Sequence, residues 1–366
     1  MCSSDLYGFE TAARNAILMD FDTGEYLYTK NIKEGVPPAS MSKLMTIYIL
    51  MSKIKDGSIK LDDTFSVSEN AWRKGGAATG GSTMFLSIGD NVTVENLIKG
   101  IVIQSGNDAC IVVAENISGS EEDFAVLMNK TAKQLGLENS SFANSTGLPH
   151  PDHKMSMEDL AKLSWHIIKE FPDLYHYFSE RDFTYNNIKQ GNRNPLLYSM
   201  KGADGLKTGH TEEAGYCLAA SAVKGERRLI EVMSGMSSNK ERSEEAERLM
   251  SWGFREFNNY KLFTKNQIIA TANVWYGKEK TVDLTVDEDV LKTISNNKTE
   301  EIKAIVEYDS PINTPIKAGQ TIGQLKIAVD GQETLEVPLV AAKDVDKVGL
   351  WGRFWANVKY FIFGAK

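Results

Sequence analysis

Two short apolar runs, residues 16–20 and 26–30, flank the turn Asp22-Thr23-Gly24 and predict a β-hairpin. Pro37 and Pro38 then stop an extended segment, and apolar residues at 44, 47, 48 and 51 predict a helix that opens on Ser40 and ends at Asp56-Gly57. Residues 68–85 are polar and glycine-rich, too flexible to enter the core, which predicts a plain surface loop or the mobile rim of a site. Thr93 is placed to cap a helix through Leu97, Ile98, Ile101 and Val102. That helix breaks at Gln104-Ser105-Gly106-Asn107 before a second apolar helix over 109–114. Further helices are expected over 121–135 and 156–170, the latter with Ser156 and Asp159 spaced as a capping box. Strand-like runs at 216–223 and 228–233, joined by Lys224-Gly225-Glu226, read as an antiparallel meander, and a charged helix over 241–255 closes the region. From about residue 260 the pattern changes to short alternating runs at 268–276, 280–286, 302–308, 321–329 and 333–340, a small all-β domain. Helical period returns over 345–363.

A chain of 366 residues is long for one core, so more than one domain is expected. The 41 basic and 49 acidic residues give a net charge of −8, which excludes nucleic acid as the main partner. Three scattered cysteines, Cys2, Cys110 and Cys217, supply neither a disulfide framework nor a zinc site, and Cys110 and Cys217 sit in apolar runs as packing residues. His150, His153 and His166 lack metal-like spacing and read as loop or surface residues. Residues 1–10 carry neither the basic start nor the apolar run of a secretory signal.

Ser40 and Lys43 stand one helical turn apart, a spacing that lets a lysine amine reach a serine hydroxyl. Such a lysine acts as a base only if its pKa falls, and the positive helix end and burial both push that way. The spacing alone is weak, because Ser-x-x-Lys recurs at Ser52, Ser221, Ser237 and Ser295. Order rescues it: Ser40-x-x-Lys43 is followed by Ser105-Gly106-Asn107 and by Lys207-Thr208-Gly209, the one Lys-Thr-Gly in the chain. A helix start, a helix–helix turn and a strand are the contexts that serine acyl transfer requires of these three motifs. Two N–H donors for a tetrahedral intermediate are expected from Ser40 and His210, and the bare Gly209 is expected to let a peptide lie against its strand. Lys207 is expected to attract a terminal carboxylate and, by like-charge repulsion, to keep Lys43 neutral.

With these motifs the chain resembles the low-molecular-mass penicillin-binding proteins that act as D-alanyl-D-alanine carboxypeptidases. The likeness runs through Lys207-Thr208-Gly209-His210-Thr211, Ser105-Gly106-Asn107, Asn192-Arg193-Asn194, the β-rich second domain and the terminal amphipathic helix. It implies an α/β fold, with a five-stranded antiparallel sheet flanked by helices over residues 6–258 whose N-terminal hairpin lies beside the strands after Lys207. A β-sandwich-like stalk would follow over 259–343 and a membrane-surface helix over 344–366. It implies a serine peptidase that removes the terminal D-alanine from peptidoglycan pentapeptides, is acylated by β-lactams, and works at the periplasmic face of the inner membrane. Ser40, Lys43, Ser105 and Asn107 would be catalytic. Lys207, Thr208, Gly209, His210, Arg193 and Arg242 would hold substrate, although each arginine reads equally as a surface ion-pair residue. Neither metal nor organic cofactor is required. A serine β-lactamase is the nearest rival, but the Glu-x-x-Leu-Asn run of the class A enzymes is absent between Ser105 and Lys207. A glutaminase-like amidase leaves the β domain and final helix without a use, and a catalytically silent wall-binding protein has no need of all three motifs.

Overall fold

Five antiparallel strands form the central sheet of the computed structural model, which describes residues 8–296, 302–329, 334–351, 354 and 358. In order across the sheet they are Tyr26–Lys30, Asn15–Asp20, Arg227–Met236, Gly215–Lys224 and Ala203–Thr211. The hairpin therefore lies beside the meander, and the strand carrying Lys-Thr-Gly is an outer edge. Alternation along the strands divides the two faces. Ile17, Met19, Ile230 and Val232 enter a core shared with the Lys43–Lys55 and Met157–Glu170 helices. On the other face, Leu18 and Leu229 meet the Asn239–Glu256 helix at Gly253, where an added Cβ would lie 2.4 Å from Leu18.

Caps follow the sequence. Thr93 accepts from the Asn96 N–H and Ser156 from the Asp159 N–H, opening helices Val94–Val102 and Met157–Glu170. In the Lys43–Lys55 helix every residue from Lys43 to Met51 is buried, which makes it a central core helix whose buried part is apolar apart from Lys43 and Thr46.

The polar stretch 68–85 departs from its expected looseness. Ser68 caps a helix, Glu69–Gly75, that packs so closely on the Asn107–Ser118 helix that a Cβ on Gly75 would lie 2.2 Å from the Asp108 nitrogen. Thr83, Met84 and Leu86 are buried because the Asp108 carboxylate accepts from the Thr83 hydroxyl and from the Met84 and Leu86 N–H groups, at 2.6, 2.8 and 3.1 Å. A partner some 25 residues away leaves no trace in local composition. Two further pairings also escape sequence patterning, the strands Thr64–Ser66 with Asn91–Thr93 and the hairpin Asp182–Tyr185/Ile188–Gly191.

The chain divides into two compact units, Met1–Arg255 and Glu256–Lys366. The second contains a six-stranded sheet in the order Lys303–Tyr308, Thr321–Ala328, Leu335–Ala341, Thr281–Thr285, Ile268–Trp275, Ile312–Asn313. A separate pair, Phe257–Phe263 with Val290–Ser295, is not evident in the sequence pattern. Val345 does not start a helix as expected: it is buried, bridges Ile316, and is followed by a bridge from Lys347 to Gly277. Helix is present at Leu350, Trp351, Phe354 and Val358, and the rest of the expected terminal helix lies outside the described residues.

Glu231 stands in the middle of the Arg227–Met236 strand, paired with Leu18 and Ala220. Its carboxyl is fully buried, neither oxygen has a hydrogen-bond partner among the described residues, and burial raises its pKa well above the usual range. The unfolded chain ionises this group while the folded one keeps it protonated, so its contribution to stability falls as pH rises above the ordinary glutamate range. Glu231→Met is therefore expected to stabilise the protein at pH 7 by about 1–3 kcal/mol. The gain should shrink toward pH 4, as read by denaturant melts at both values; a destabilised variant at pH 7 would reject this reading.

Candidate active site

The two prolines deliver the chain into a tight 3-10 turn, Ala39–Ser42, with Ala39 at φ +48°. The α-helix opens at Lys43 rather than at Ser40. The tighter turn brings residues i and i+3 into line, and Lys43 Nζ donates to Ser40 Oγ at 3.0 Å. The same amine donates to Asn107 Oδ1 at 2.8 Å and to the Thr146 carbonyl at 2.6 Å. Lys43 is 1% exposed, and burial, as the largest cause, lowers its pKa to about 8. The Arg193 charge acts in the same direction, while Asp108 and Glu121 oppose it.

Ser105 occupies the connection between the two helices in the left-handed region, φ +60°, almost completely buried. Its hydroxyl accepts from Lys207 Nζ at 2.9 Å. Lys207 also donates to the Thr208 carbonyl at 3.1 Å. Its pKa lies well below the ordinary lysine value, first through burial and then through the charges of Lys43 and Arg193. Burial and mutual like-charge repulsion thus act on the two neighbouring lysines in the same direction, toward the neutral amine.

Gly209 lines the cleft and also serves the turn beside it. A Cβ there would lie 3.1 Å from the Pro38 carbonyl oxygen and 3.2 Å from the Ser40 nitrogen, so the missing side chain makes room for the Ala39–Ser42 turn. Arg242, from the Asn239–Glu256 helix, is no surface residue: it is 6% exposed, lies 5.5 Å from the Tyr216 ring, and donates to the Gly209 and Cys217 carbonyls at 3.4 Å each. Arg193 donates to Ser82 Oγ at 2.6 Å, and the Ser82 carbonyl accepts from the Asn107 N–H at 2.8 Å. Cys110 and Cys217 are buried as expected, and burial raises their thiols to about 12 and about 11.

Ser40, Ser105, Arg193, Thr208, Gly209, His210 and Arg242, among others, line one cleft of about 680 Å³, and the buried Lys43, Asn107 and Lys207 lie behind that lining. None of its described lining residues is acidic. A nucleophile-bearing turn, a partly deprotonated buried amine and a cationic wall are what attack on the carbonyl of an anionic acyl donor requires. Sequence reasoning missed the Thr146 carbonyl and the brace at Asp108, and had Ser82 only as part of a stretch read as a surface loop or a site's rim. The turn residues Asn144-Ser145-Thr146-Gly147 were the available signal, since Asn144 Oδ1 accepts from the Thr146 and Gly147 N–H groups.

The family profile of D-alanyl-D-alanine carboxypeptidase matches residues 3–238, and that of the penicillin-binding protein 5 C-terminal domain matches residues 257–347. The chain belongs to the D-alanyl-D-alanine carboxypeptidase family. It is thereby a serine-type enzyme of the low-molecular-mass penicillin-binding class. The chain is 40% identical over 346 residues to D-alanyl-D-alanine carboxypeptidase DacC of Escherichia coli (strain K12), covering 94% of this chain and 86% of that one. Against DacF of Bacillus subtilis (strain 168) the identity is 39% over 343 residues, with 92% and 87% covered. The solved structure of penicillin binding protein 5 from Haemophilus influenzae superposes with a TM-score of 0.86 at 37% identity, covering 93% of this chain and 99% of that chain. The α/β architecture with an additional β-rich unit is that of this carboxypeptidase family.

Proposed function

We propose that this protein removes the terminal D-alanine from peptidoglycan pentapeptides through an ester on Ser40, and that penicillins acylate the same hydroxyl. The observation that carries this reading is the contact of one buried amine, Lys43 Nζ, with Ser40 Oγ and Asn107 Oδ1 together. Neutral Lys43 takes the Ser40 proton as Oγ attacks the carbonyl between the two D-alanines. The Ser40 and His210 N–H groups stabilise the oxyanion, a role supported by the closeness of the Gly209 strand to the Ser40 nitrogen. The amide C–N bond breaks, the proton held by Lys43 passes with the help of Ser105 to the departing D-alanine amine, and water then hydrolyses the ester and restores Ser40. Asn107 holds the substrate amide. Lys207, Thr208, Arg193 and Arg242 receive the terminal carboxylate, which supplies the negative charge that the cleft's own lining lacks. The peptide adds as a strand to the free edge of Ala203–Thr211. A pentapeptide assay tests the reading: D-alanine is released and penicillin blocks the release. Rapid penicillin turnover with no D-alanine release would favour the β-lactamase alternative.

The enzyme is proposed to act in the cell envelope, with the residues 259–343 as a stalk and the C-terminal segment on the membrane surface at its periplasmic side. No described helix is long and apolar enough to cross a bilayer. Leu350, Trp351 and Phe354 are 79%, 80% and 55% exposed, and exposed tryptophan beside apolar residues suits the headgroup level. Because Val345 is buried and Val348 donates to the Tyr276 carbonyl, a truncation after Lys343 would damage the β unit; the informative cut follows Gly349. That truncation is expected to abolish sedimentation with phosphatidylglycerol-containing vesicles while D-alanine release from soluble peptide stays unchanged. Undiminished vesicle binding would reject the anchor.

A further inference from the structure

His153 reads from sequence as a loop histidine, yet it is 2% exposed and lies against the turn that carries Ser40. Its Nδ1 accepts from the Ala143 N–H at 3.3 Å, which leaves the ring proton on Nε2, and Nε2 lies 2.6 Å from the hydroxyl of the fully buried Ser42. Burial lowers its pKa to about 4, with the charges of His150 and Lys43 acting the same way, so the ring is neutral under ordinary conditions. The Phe142 ring packs edge-on against it at 5.6 Å.

This is one of three bonds between the 142–154 segment and the nucleophile region. The others run from the Thr46 hydroxyl to the Ser145 carbonyl, 2.7 Å, and from Lys43 Nζ to the Thr146 carbonyl, 2.6 Å. There is no slack between the two segments: a Cβ on Gly147 would lie 2.0 Å from the Ala39 carbonyl oxygen and 3.0 Å from the Ser42 Cβ. Ser42 is therefore the point at which the segment that supplies an acceptor for Lys43 is fastened to the turn that supplies Ser40.

We infer that His153 is a positioning residue for acylation: its Nε2–H holds Ser42, and through it the Ala39–Ser42 turn, where Lys43 meets Ser40 and the Thr146 carbonyl together. Loosening this bond moves Ser40 relative to its base while leaving the cationic carboxylate wall, built from other segments, in place. Small displacements of a reacting atom cost rate rather than binding.

The test is a double-mutant cycle on the full chain, read as penicillin acylation rate and as the dissociation constant of the initial non-covalent complex. His153→Leu and Ser42→Ala are each expected to slow acylation about tenfold or more, with the dissociation constant changed by less than about twofold. The double variant should be no slower than the slower single. His153→Gln, whose amide nitrogen sits near the Nε2 position, should recover to within about threefold of wild type. Wild-type acylation by both His153→Leu and Ser42→Ala, additive losses in the double variant, or a Gln variant as slow as Leu would each overturn the inference. So would a lowered thermal midpoint with unaltered acylation, the mark of a purely structural histidine. If His153→Leu does not fold, Ser42→Ala and His153→Gln decide the matter. The inference rests on acylation at Ser40, so the labelled peptide of the wild type is identified by mass spectrometry. An adduct elsewhere defeats the acyl-serine reading, whereas an adduct on Ser40 with no effect of His153 or Ser42 defeats this inference alone.

Discussion

Ser40→Ala is expected to lose covalent penicillin labelling by at least about a thousandfold, while Ser52→Ala and Ser237→Ala label like the wild type. All three serines stand three residues before a lysine, but their surroundings differ. Ser40 receives the Lys43 amine at 3.0 Å on the wall of the cleft. Ser52 donates instead to the Tyr48 carbonyl within its own helix, and Ser237 donates to the Glu241 carboxylate at the surface. Ser221 accepts from Arg228 inside the sheet. The loss should come with little change in thermal stability, because Ser40 is half-buried and its hydroxyl packs against the cleft. Fluorescent-penicillin gels alongside thermal melts measure both quantities; labelling that survives in Ser40→Ala would refute the assignment.

Lys43→Met is expected to lower acylation by about 10²–10⁴-fold, the range for loss of a positioned general base. Stability should change far less than rate, since the relief of burying an amine without a carboxylate partner is offset by the donor that Asn107 Oδ1 and the Thr146 carbonyl lose. The wild-type pH profile carries a sharper expectation. Only the neutral amine can take the Ser40 proton, so the second-order acylation rate should rise about tenfold per pH unit below pH 8 and level off above it. Linkage runs in step: the folded protein releases the Lys43 proton before the unfolded chain does, so this group adds to stability as pH climbs from about 8 toward 10.5. A rising limb centred near the ordinary lysine value would show that burial does not tune this base. An acid-side plateau in Lys43→Met at the wild-type rate would remove Lys43 from the reaction.

Much of this protein was legible in local pattern. Helix periods, the Thr93 and Ser156 caps, the hairpin at Asp22-Thr23-Gly24 and the order of the three motifs depend on residues within a few positions of one another, so backbone geometry and side-chain spacing announce them directly. Those rules placed the elements, the β-rich second unit and the three motifs in order, and the family resemblance those motifs carry implied the α/β fold and joined Ser40, Lys43, Ser105, Asn107 and Lys207 in one site. Tertiary structure decided which Ser-x-x-Lys lies in a cleft, and turned residues 68–85 from a loose loop into a helix and a buried strap held by Asp108. It gave Gly209 a second task, clearance for the Ser40 turn, and placed Arg242 inside rather than outside. It alone brought the Thr146 carbonyl and His153 beneath the nucleophile, across 103 and 111 residues of chain. The physical reason is common to all of these. Periodicity and capping are properties of neighbours in sequence, whereas a pKa, a buried acceptor or a glycine's clearance is set by whichever distant segment the packed core brings within a few ångströms.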